Sequence, residues 1–184
     1  KHMKKIFTIL FLVGMLGTAQ TERYFTRTGS VQLQGSVASF EPIEAIHKSV
    51  TIVIDAQTGD LASLALMKGF EFPIALMQEH FNENYVESDQ YPKTTLKGRL
   101  NDFSFATLGD HIDHTFTFTG DLELHGVKRG ITFPVTIKES NGSLLLQSEI
   151  SVRPEDYLIE IPSVVSNKIA DLIEIKVSGT LLKR

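Results

Sequence analysis

Hydrophobic and polar residues alternate one by one along much of the chain. Phe116, Phe118, Leu122 and Leu124 are separated by Thr, Asp and Glu residues, and the stretch 131–137 repeats the pattern. A period of two is typical of antiparallel strands with one buried and one solvated face. The alternation therefore predicts an all-β, mainly antiparallel fold of about eight or nine strands.

The remaining strands are predicted from shorter runs of the same kind. They are Val31–Val37, Ser49–Asp55, Leu61–Lys68, Thr95–Asn101, Leu144–Val152 and Ile173–Val177. Asn141-Gly142 stands between two alternating runs and predicts a tight hairpin. Pro134 lies inside a strand pattern, and since proline cannot donate to a ladder, it predicts an edge or a bulge there.

One main helix is predicted, over about residues 73–85. The strand spacing alone fits either a sandwich or a barrel, and this helical insert favours a barrel with the helix at its end. Pro73 suits the first helical position. The apolar face consists of Ile74, Met77, Phe81 and Tyr85, at spacings near one helical turn. Glu79 and Glu83 are expected to face solvent. Weaker signals predict short turns near Pro154–Tyr157 and Pro162–Ile169.

The first residues carry the pattern of an export signal. Lys4-Lys5 precede an apolar run, Ile6–Leu16, and small residues follow at Gly17-Thr18-Ala19. This order predicts a secretory signal peptide cleaved near Ala19, with an uncleaved membrane anchor as the alternative. Lys1-His2 are interpreted as an added remnant ahead of a native Met.

The predicted organisation is therefore a leader over residues 1–19 and a single β-barrel domain over 20–184. Export by such a leader implies a periplasmic or secreted protein with no stable membrane anchor after cleavage. The chain has no Cys, so no disulfide framework supports the fold in an oxidising compartment.

Composition is that of an ordinary globular protein and narrows the choice of partner. Hydrophobic residues make up 42% of the chain and charged residues 22%. The formal net charge is −4, and removal of the lysines in the leader makes the domain more acidic. An acidic surface argues against nucleic acid or an anionic membrane as partner. The sequence favours no particular oligomeric state.

No motif predicts catalysis, a cofactor or a metal. A nucleophile elbow, a phosphate loop and a dinucleotide fingerprint are absent from the sequence. His111 and His114 are three positions apart, so in a strand they point to opposite faces and do not form a metal site.

The inward faces of the predicted barrel are almost wholly apolar. A barrel of about eight strands is either filled by its own side chains or holds one ligand, and alternation alone leaves both open. An apolar wall suits a ligand with few hydrogen-bonding groups. The residues expected to form a ligand-binding wall are Phe116, Phe118, Leu122, Phe133, Val135, Ile173 and Ile175, with Met77, Phe81 and Tyr85 at the mouth.

Two motifs carry a resemblance to a known family. Glu87-Ser88-Asp89-Gln90-Tyr91-Pro92 follows the predicted helix and leads to Leu96-Lys97-Gly98. Farther on, Gly120–Val127 reads GDLELHGV and is followed by Pro134-Val135. This order resembles the YceI-like family over about residues 29–181. The resemblance implies a lipocalin-like barrel that holds a long apolar lipid, often an isoprenoid, with no catalytic activity established for the family as a class.

The resemblance also draws attention to individual polar residues. His80 and His125 stand inside the two motifs, and each is interpreted either as a contact to a ligand headgroup or as a structural hydrogen bond. The family's frequent Arg-Asp pair is replaced here by Gln78-Glu79, which weakens an inherited headgroup role. Arg153, in a segment that also resembles the family, is expected to pair with Asp156 at the barrel rim.

The leading hypothesis is a secreted lipid-binding protein that transports, stores or sequesters an isoprenoid or fatty-acyl chain by burying it. An enzyme acting on a lipid in the same cavity is the first alternative. A fully packed barrel, acting as a stress-response or interaction protein, is the second.

Overall fold

The computed structural model describes residues 22–36, 42–109 and 111–184. The predicted leader, its cleavage site and Val37 lie outside the described residues. Eight antiparallel strands form a closed barrel in which each strand pairs with the next and the last pairs with the first. The strands are β1 Arg23–Ser36, β2 Glu44–Asp55, β3 Asp60–Leu66, β4 Lys93–Leu100, β5 Asp113–Leu124, β6 Val127–Ser140, β7 Ser143–Val152 and β8 Ile169–Lys183.

The main helix lies between β3 and β4. It consists of α1, Ala75–His80, and a continuing π-helical turn at Phe81–Tyr85. Pro73 and Ile74 precede it, so the helix begins two residues later than predicted and ends where predicted. The short turn expected at Pro154–Tyr157 is a 3₁₀ turn between β7 and β8.

The first two strands begin well before the predicted positions, at Arg23 and Glu44. Their pairing is irregular, because Gly29 pairs with Val50 whereas Val31 pairs with His47. Lys48 and Ser49 are consequently both exposed in succession. A β-bulge of this kind breaks the strict alternation on which the strand prediction depended.

Two hairpins use two-residue turns with both central residues at positive φ. Asn141 and Gly142 have φ of 51° and 77°, and His125 and Gly126 have 52° and 73°. These values fit type I′ turns, whose twist matches that of the flanking strands. The hairpin predicted at Asn141-Gly142 is confirmed.

Pro134 marks the point where β6 and β7 begin to separate. The pairing of β6 with β7 runs from Val135–Ser148 to Ser140–Ser143, whereas β6 pairs with β5 from Val127 to Lys138. The Ser148 hydroxyl donates to the Pro134 carbonyl at 2.7 Å. The proline thus occupies an edge of the ladder, as predicted, because no backbone N–H is needed there.

The barrel has two unlike halves. In the closed half, large side chains fill the interior and the connection between β4 and β5 covers the end. Phe103 packs on Phe116 with ring centroids 5.2 Å apart, and Phe105 stacks on Tyr24 at 5.4 Å. In the mouth half, α1 and the segment between β7 and β8 surround an opening. The largest fully buried side chains of the closed half are Phe118, Ile52, Ile54, Leu100, Ile137, Leu144, Leu181 and Val135.

Candidate ligand-binding cavity

The mouth half encloses an apolar cavity of about 360 Å³. Every strand except β6 contributes to its wall. β6 does not contribute to the wall because its first half lies apart from β7. Residues after β7, among them Ile159 and Ile161, line that side of the cavity instead. The volume is in the range of small-molecule sites, which are typically apolar pockets of about 300–1,000 Å³. The barrel is therefore not filled by its own side chains throughout.

The structure brings together seven of the residues expected at a ligand site. They are Leu122, Ile173, Ile175, Met77, Phe81, Tyr85 and His80, all of which line the cavity. The strand residues form its wall and the helix residues lie across its opening. The helix therefore presents its apolar face to the barrel, while Glu79 and Glu83 are exposed.

Phe116, Phe118, Phe133 and Val135 were also expected on the cavity wall, and the structure places them elsewhere. All four belong to the closed half, where Phe118 and Val135 are fully buried and the rings of Phe118 and Phe133 stack at 4.8 Å. They point into the barrel but do not line the cavity. Alternation identifies the face on which a residue lies but not its height along the barrel axis.

Aromatic rings hold the helix over the opening. The Phe81 ring packs against Phe70 and Phe72, with centroids 5.6 Å and 5.0 Å away. Neither of these last two residues was predicted at the site, although both stand just ahead of Pro73, where the strand pattern ends. Burial raises the pKa of Tyr85.

His47 supports this aromatic cluster from the wall side and was not predicted. It is 3% exposed. The Ser49 backbone N–H donates to its Nδ1 at 3.1 Å, so Nε2 carries the proton and donates to the Leu66 carbonyl at 3.1 Å. The imidazole edge meets the Phe70 ring at 5.2 Å. A polar residue at an inward position of an apolar strand was the signal that could have identified it.

Small residues create the empty volume. Ala45 and Ala65 are buried and line the cavity, and Gly35 lines it near the mouth. A larger side chain at Ala45 or Ala65 would occupy space that is now vacant, whereas a Cβ at Gly35 would lie 2.9 Å from Cδ1 of Ile173. An inward Ala between larger inward residues was the sequence signal for the cavity.

Few polar side chains line the cavity, and three of them are ionisable. The polar residues of the wall are Ser63, His80, Tyr85, Thr94, Thr95 and Lys168. His80 and Lys168 are both exposed, which places their ionisable groups toward solvent rather than in the interior. The arrangement suits a ligand with a long apolar part and a polar end near the mouth.

The two sequence motifs meet at His125, which lies outside the cavity. Its Nδ1 is 3.0 Å from the Tyr157 carbonyl, and its Nε2 is 2.8 Å from a Glu87 carboxylate oxygen. The Tyr91 ring packs on the imidazole at 4.4 Å. We call these four residues the His125 cluster. Because both ring nitrogens already have protein partners, the geometry gives His125 a structural role at the mouth.

The expected pair between Arg153 and Asp156 is not formed. Asp156 instead pairs with Arg129 of β6 at 3.6 Å, and Arg153 lies 4.0 Å from Glu155. Arg129 also donates to the Asp156 carbonyl. The turn at Pro154–Tyr157 is thereby attached to the part of β6 that has separated from β7, an arrangement that local sequence spacing could not reveal.

The described residues contain no group of three or more His, Cys, Asp or Glu side chains placed to hold a metal ion. His111 Nδ1 lies 3.1 Å from the Ser140 hydroxyl, and His114 Nε2 accepts from the Gly109 N–H at 3.4 Å. Within those same parts of the chain, no helix has the length and apolar character needed to cross a membrane.

The profile of the YceI-like domain matches residues 8–181. The chain belongs to the YceI-like family. No curated protein sequence matches it. The family assignment accounts for the two motifs: in this YceI-like protein they meet in the His125 cluster, which joins the connection after the helix to the β5–β6 hairpin and to the turn after β7.

Solved structures share the fold at low sequence identity. A polyisoprenoid-binding domain from Saccharophagus degradans, implicated in plant cell wall breakdown, superposes with a TM-score of 0.78 at 14% identity, covering 90% of this chain and 100% of its own. Burkholderia cenocepacia BcnA gives 0.67 at 16% identity, covering 83% and 95%. A Campylobacter jejuni YceI protein gives 0.54 at 12% identity, covering 72% and 80%. At these identities the likeness concerns the fold.

Proposed function

We propose that this YceI-like protein binds an isoprenoid or fatty-acyl chain in the mouth half of its barrel and transports, stores or sequesters it. The cavity carries the proposal, because its wall is apolar over almost its whole surface. The choice of ligand class is supported by the Saccharophagus degradans domain of the same fold, which is a polyisoprenoid-binding domain. Binding by burial needs little polar recognition, since each methylene removed from water contributes roughly 0.8 kcal/mol.

His80 is proposed as the contact to a polar headgroup, together with Lys168. Both line the cavity and both are exposed at its mouth. A headgroup held there would remain hydrated while the chain enters the barrel. His125 is not included, because the His125 cluster occupies both of its ring nitrogens.

We further propose that the protein acts in the periplasm or outside the cell. Lys4-Lys5, the apolar run Ile6–Leu16 and the small residues before Gln20 support export. Amino-terminal sequencing of protein recovered from its native host should begin near Gln20. Recovery of a cytoplasmic protein with Met3 intact would contradict this proposal.

The binding proposal is tested by mass spectrometry of an organic extract of the purified protein. We expect one class of apolar chain in near-stoichiometric amount. Ala65→Phe, which fills the cavity, should greatly reduce that amount. Ala62→Phe is the matched control, since Ala62 is an outward position three residues earlier on β3 and should retain the lipid.

Equal occupancy in the two variants would contradict binding in the cavity. Absence of any lipid from the wild-type extract, and from protein incubated with added fatty acid or prenyl alcohol, would contradict lipid binding itself. An added lipid that is recovered with a changed mass would instead favour the enzyme acting in the same cavity.

A further inference from the structure

Immediately below the residues that line the cavity, two large side chains lie across inward-facing glycines, and we call this boundary the floor. Gly98 of β4 and Gly120 of β5 are direct partners in the ladder. A Cβ built at either position would lie 2.6 Å from Cζ of Phe118. The ring therefore occupies space that exists only because these strands carry no side chain at this level.

A matching arrangement is found on the side of the barrel formed by β8, β1 and β2. A Cβ at Gly29 would lie 2.9 Å from Cδ1 of Ile52, and one at Gly179 would lie 3.3 Å from the same atom. Ile52 is 1% exposed and Phe118 is fully buried. Each of these two side chains thus lies over a pair of inward-facing glycines, and the four glycines, which we call the glycine level, belong to four strands.

This level separates the cavity from the packed core. On β4 and β5, Leu96 and Leu122 are direct partners one inward step above the glycines, and both line the cavity. One inward step below the glycines, Leu100 of β4 pairs with Phe118 itself, and both are buried. The boundary between empty and filled barrel therefore coincides with the glycine level.

We propose that Phe118, with Ile52, limits the length of the apolar chain that the cavity accepts. The inference rests on the proposed function. From Leu124 at the mouth to Gly120 at the floor, β5 advances about 13 Å along the strand and, with the usual tilt, about 10 Å along the barrel axis. At roughly 1.3 Å per chain carbon, about two isoprene units reach the floor in extended form.

Longer chains must then fold back, extend under the helix or protrude into water. Removal of the Phe118 ring would open the glycine level and connect the cavity with the space that the ring occupied. Chains longer by one isoprene unit should gain most, because their terminal methylenes would become buried. Short chains, which already end above the floor, should gain little.

The test uses protein freed of lipid and incubated with an equimolar mixture of geraniol, farnesol and geranylgeraniol, with each complex quantified by native mass spectrometry. Wild-type protein should bind geraniol at least as well as the two longer alcohols. Phe118→Ala should raise the farnesol-to-geraniol ratio by about tenfold or more. Leu144→Ala is the control, because it also removes a fully buried side chain of the closed half but leaves the floor intact.

An unchanged ratio in Phe118→Ala, or an equal change in Leu144→Ala, would overturn the inference while leaving the proposed function standing. Failure of the wild type to bind any of the three alcohols would instead count against the proposed function. If Phe118→Ala does not fold, Phe118→Leu keeps an apolar side chain and removes the ring from the glycine level. It should shift the ratio in the same direction by a smaller factor, and no shift would overturn the inference.

Discussion

The closed half and the mouth half of this barrel are built from the same alternating strands, yet only the closed half has a filled interior. In the closed half the inward residues are large, and the aromatic side chains of the β4–β5 connection cover the end. In the mouth half several inward positions are Ala or Gly, and an apolar cavity remains. The comparison teaches that residue size at inward positions, rather than the alternation itself, divides a barrel into core and binding site.

The largest difference between the halves should be in stability. Ile137→Ala removes a fully buried side chain from the closed half and should lower the free energy of unfolding by about 3–4 kcal/mol. Ile175→Ala removes the same atoms from the cavity wall, where they already border empty space, and should cost about 1 kcal/mol. Urea unfolding monitored by circular dichroism measures both, and equal losses would contradict the division into two halves.

The helix offers the next test, because it should matter more for ligand than for stability. Phe81→Ala should lower lipid occupancy several-fold, since Phe81 lines the opening. The free energy of unfolding should fall by about 2 kcal/mol, less than for a fully buried Phe. Leu76→Ala on the exposed side of the same helix is the control. A large loss of stability with unchanged bound lipid per folded protein would show that the helix only covers the barrel end.

The His125 cluster should make a smaller contribution, confined to the mouth. His125→Ala should cost about 1–2 kcal/mol, because it leaves the Tyr157 carbonyl and the Glu87 carboxylate without their partner. Glu87→Gln should cost under about 1 kcal/mol, since Glu87 is 47% exposed. Hydrogen exchange should show faster opening near residues 154–159 in His125→Ala and unchanged protection around Ile137. Uniform acceleration in both halves would contradict a local role.

The smallest effect concerns pH and compares one tyrosine from each half. Burial is the first cause of the raised pKa of both Tyr24 and Tyr85. The folded state therefore holds these protons to higher pH than the unfolded state does. The contribution of the two protonated tyrosines to the free energy of unfolding is complete below the ordinary Tyr pKa of about 10 and is lost as the pH rises above it. Tyr24→Phe and Tyr85→Phe should each flatten the decline in stability at alkaline pH. A steeper decline in either variant would contradict the assignment.

The fold was largely predictable because alternation and turn chemistry are local signals. The barrel, the hairpin at Asn141-Gly142 and the helix were all indicated by the sequence, whereas the starts of β1 and β2 were hidden by a bulge that exposes Lys48 and Ser49 in succession. The candidate site was predictable only in part. The alternation identified Leu122 and Ile175 as inward-facing, but it identified Phe118 and Val135 as inward-facing in the same way. It could not show which of these residues line the cavity, because height along the barrel axis depends on strand stagger.

The contacts that a single sequence could not indicate are those between distant segments. Arg129 pairs with Asp156 rather than Arg153 because β6 separates from β7 after Pro134, a consequence of the closed topology. The glycine level that forms the floor involves β1, β4, β5 and β8. Its residues come into register only once all eight strands have paired.

The most direct test of the division into a filled and an empty half is a crystal structure of the protein with a fatty acid brominated at its terminal carbon. Anomalous scattering locates the bromine without assumptions about the ligand pose. We expect one peak inside the barrel between Leu96 and Ile175, on the mouth side of the Phe118 ring. A peak among the closed-half side chains, a peak on the outer surface, or none at saturating fatty acid would contradict the account.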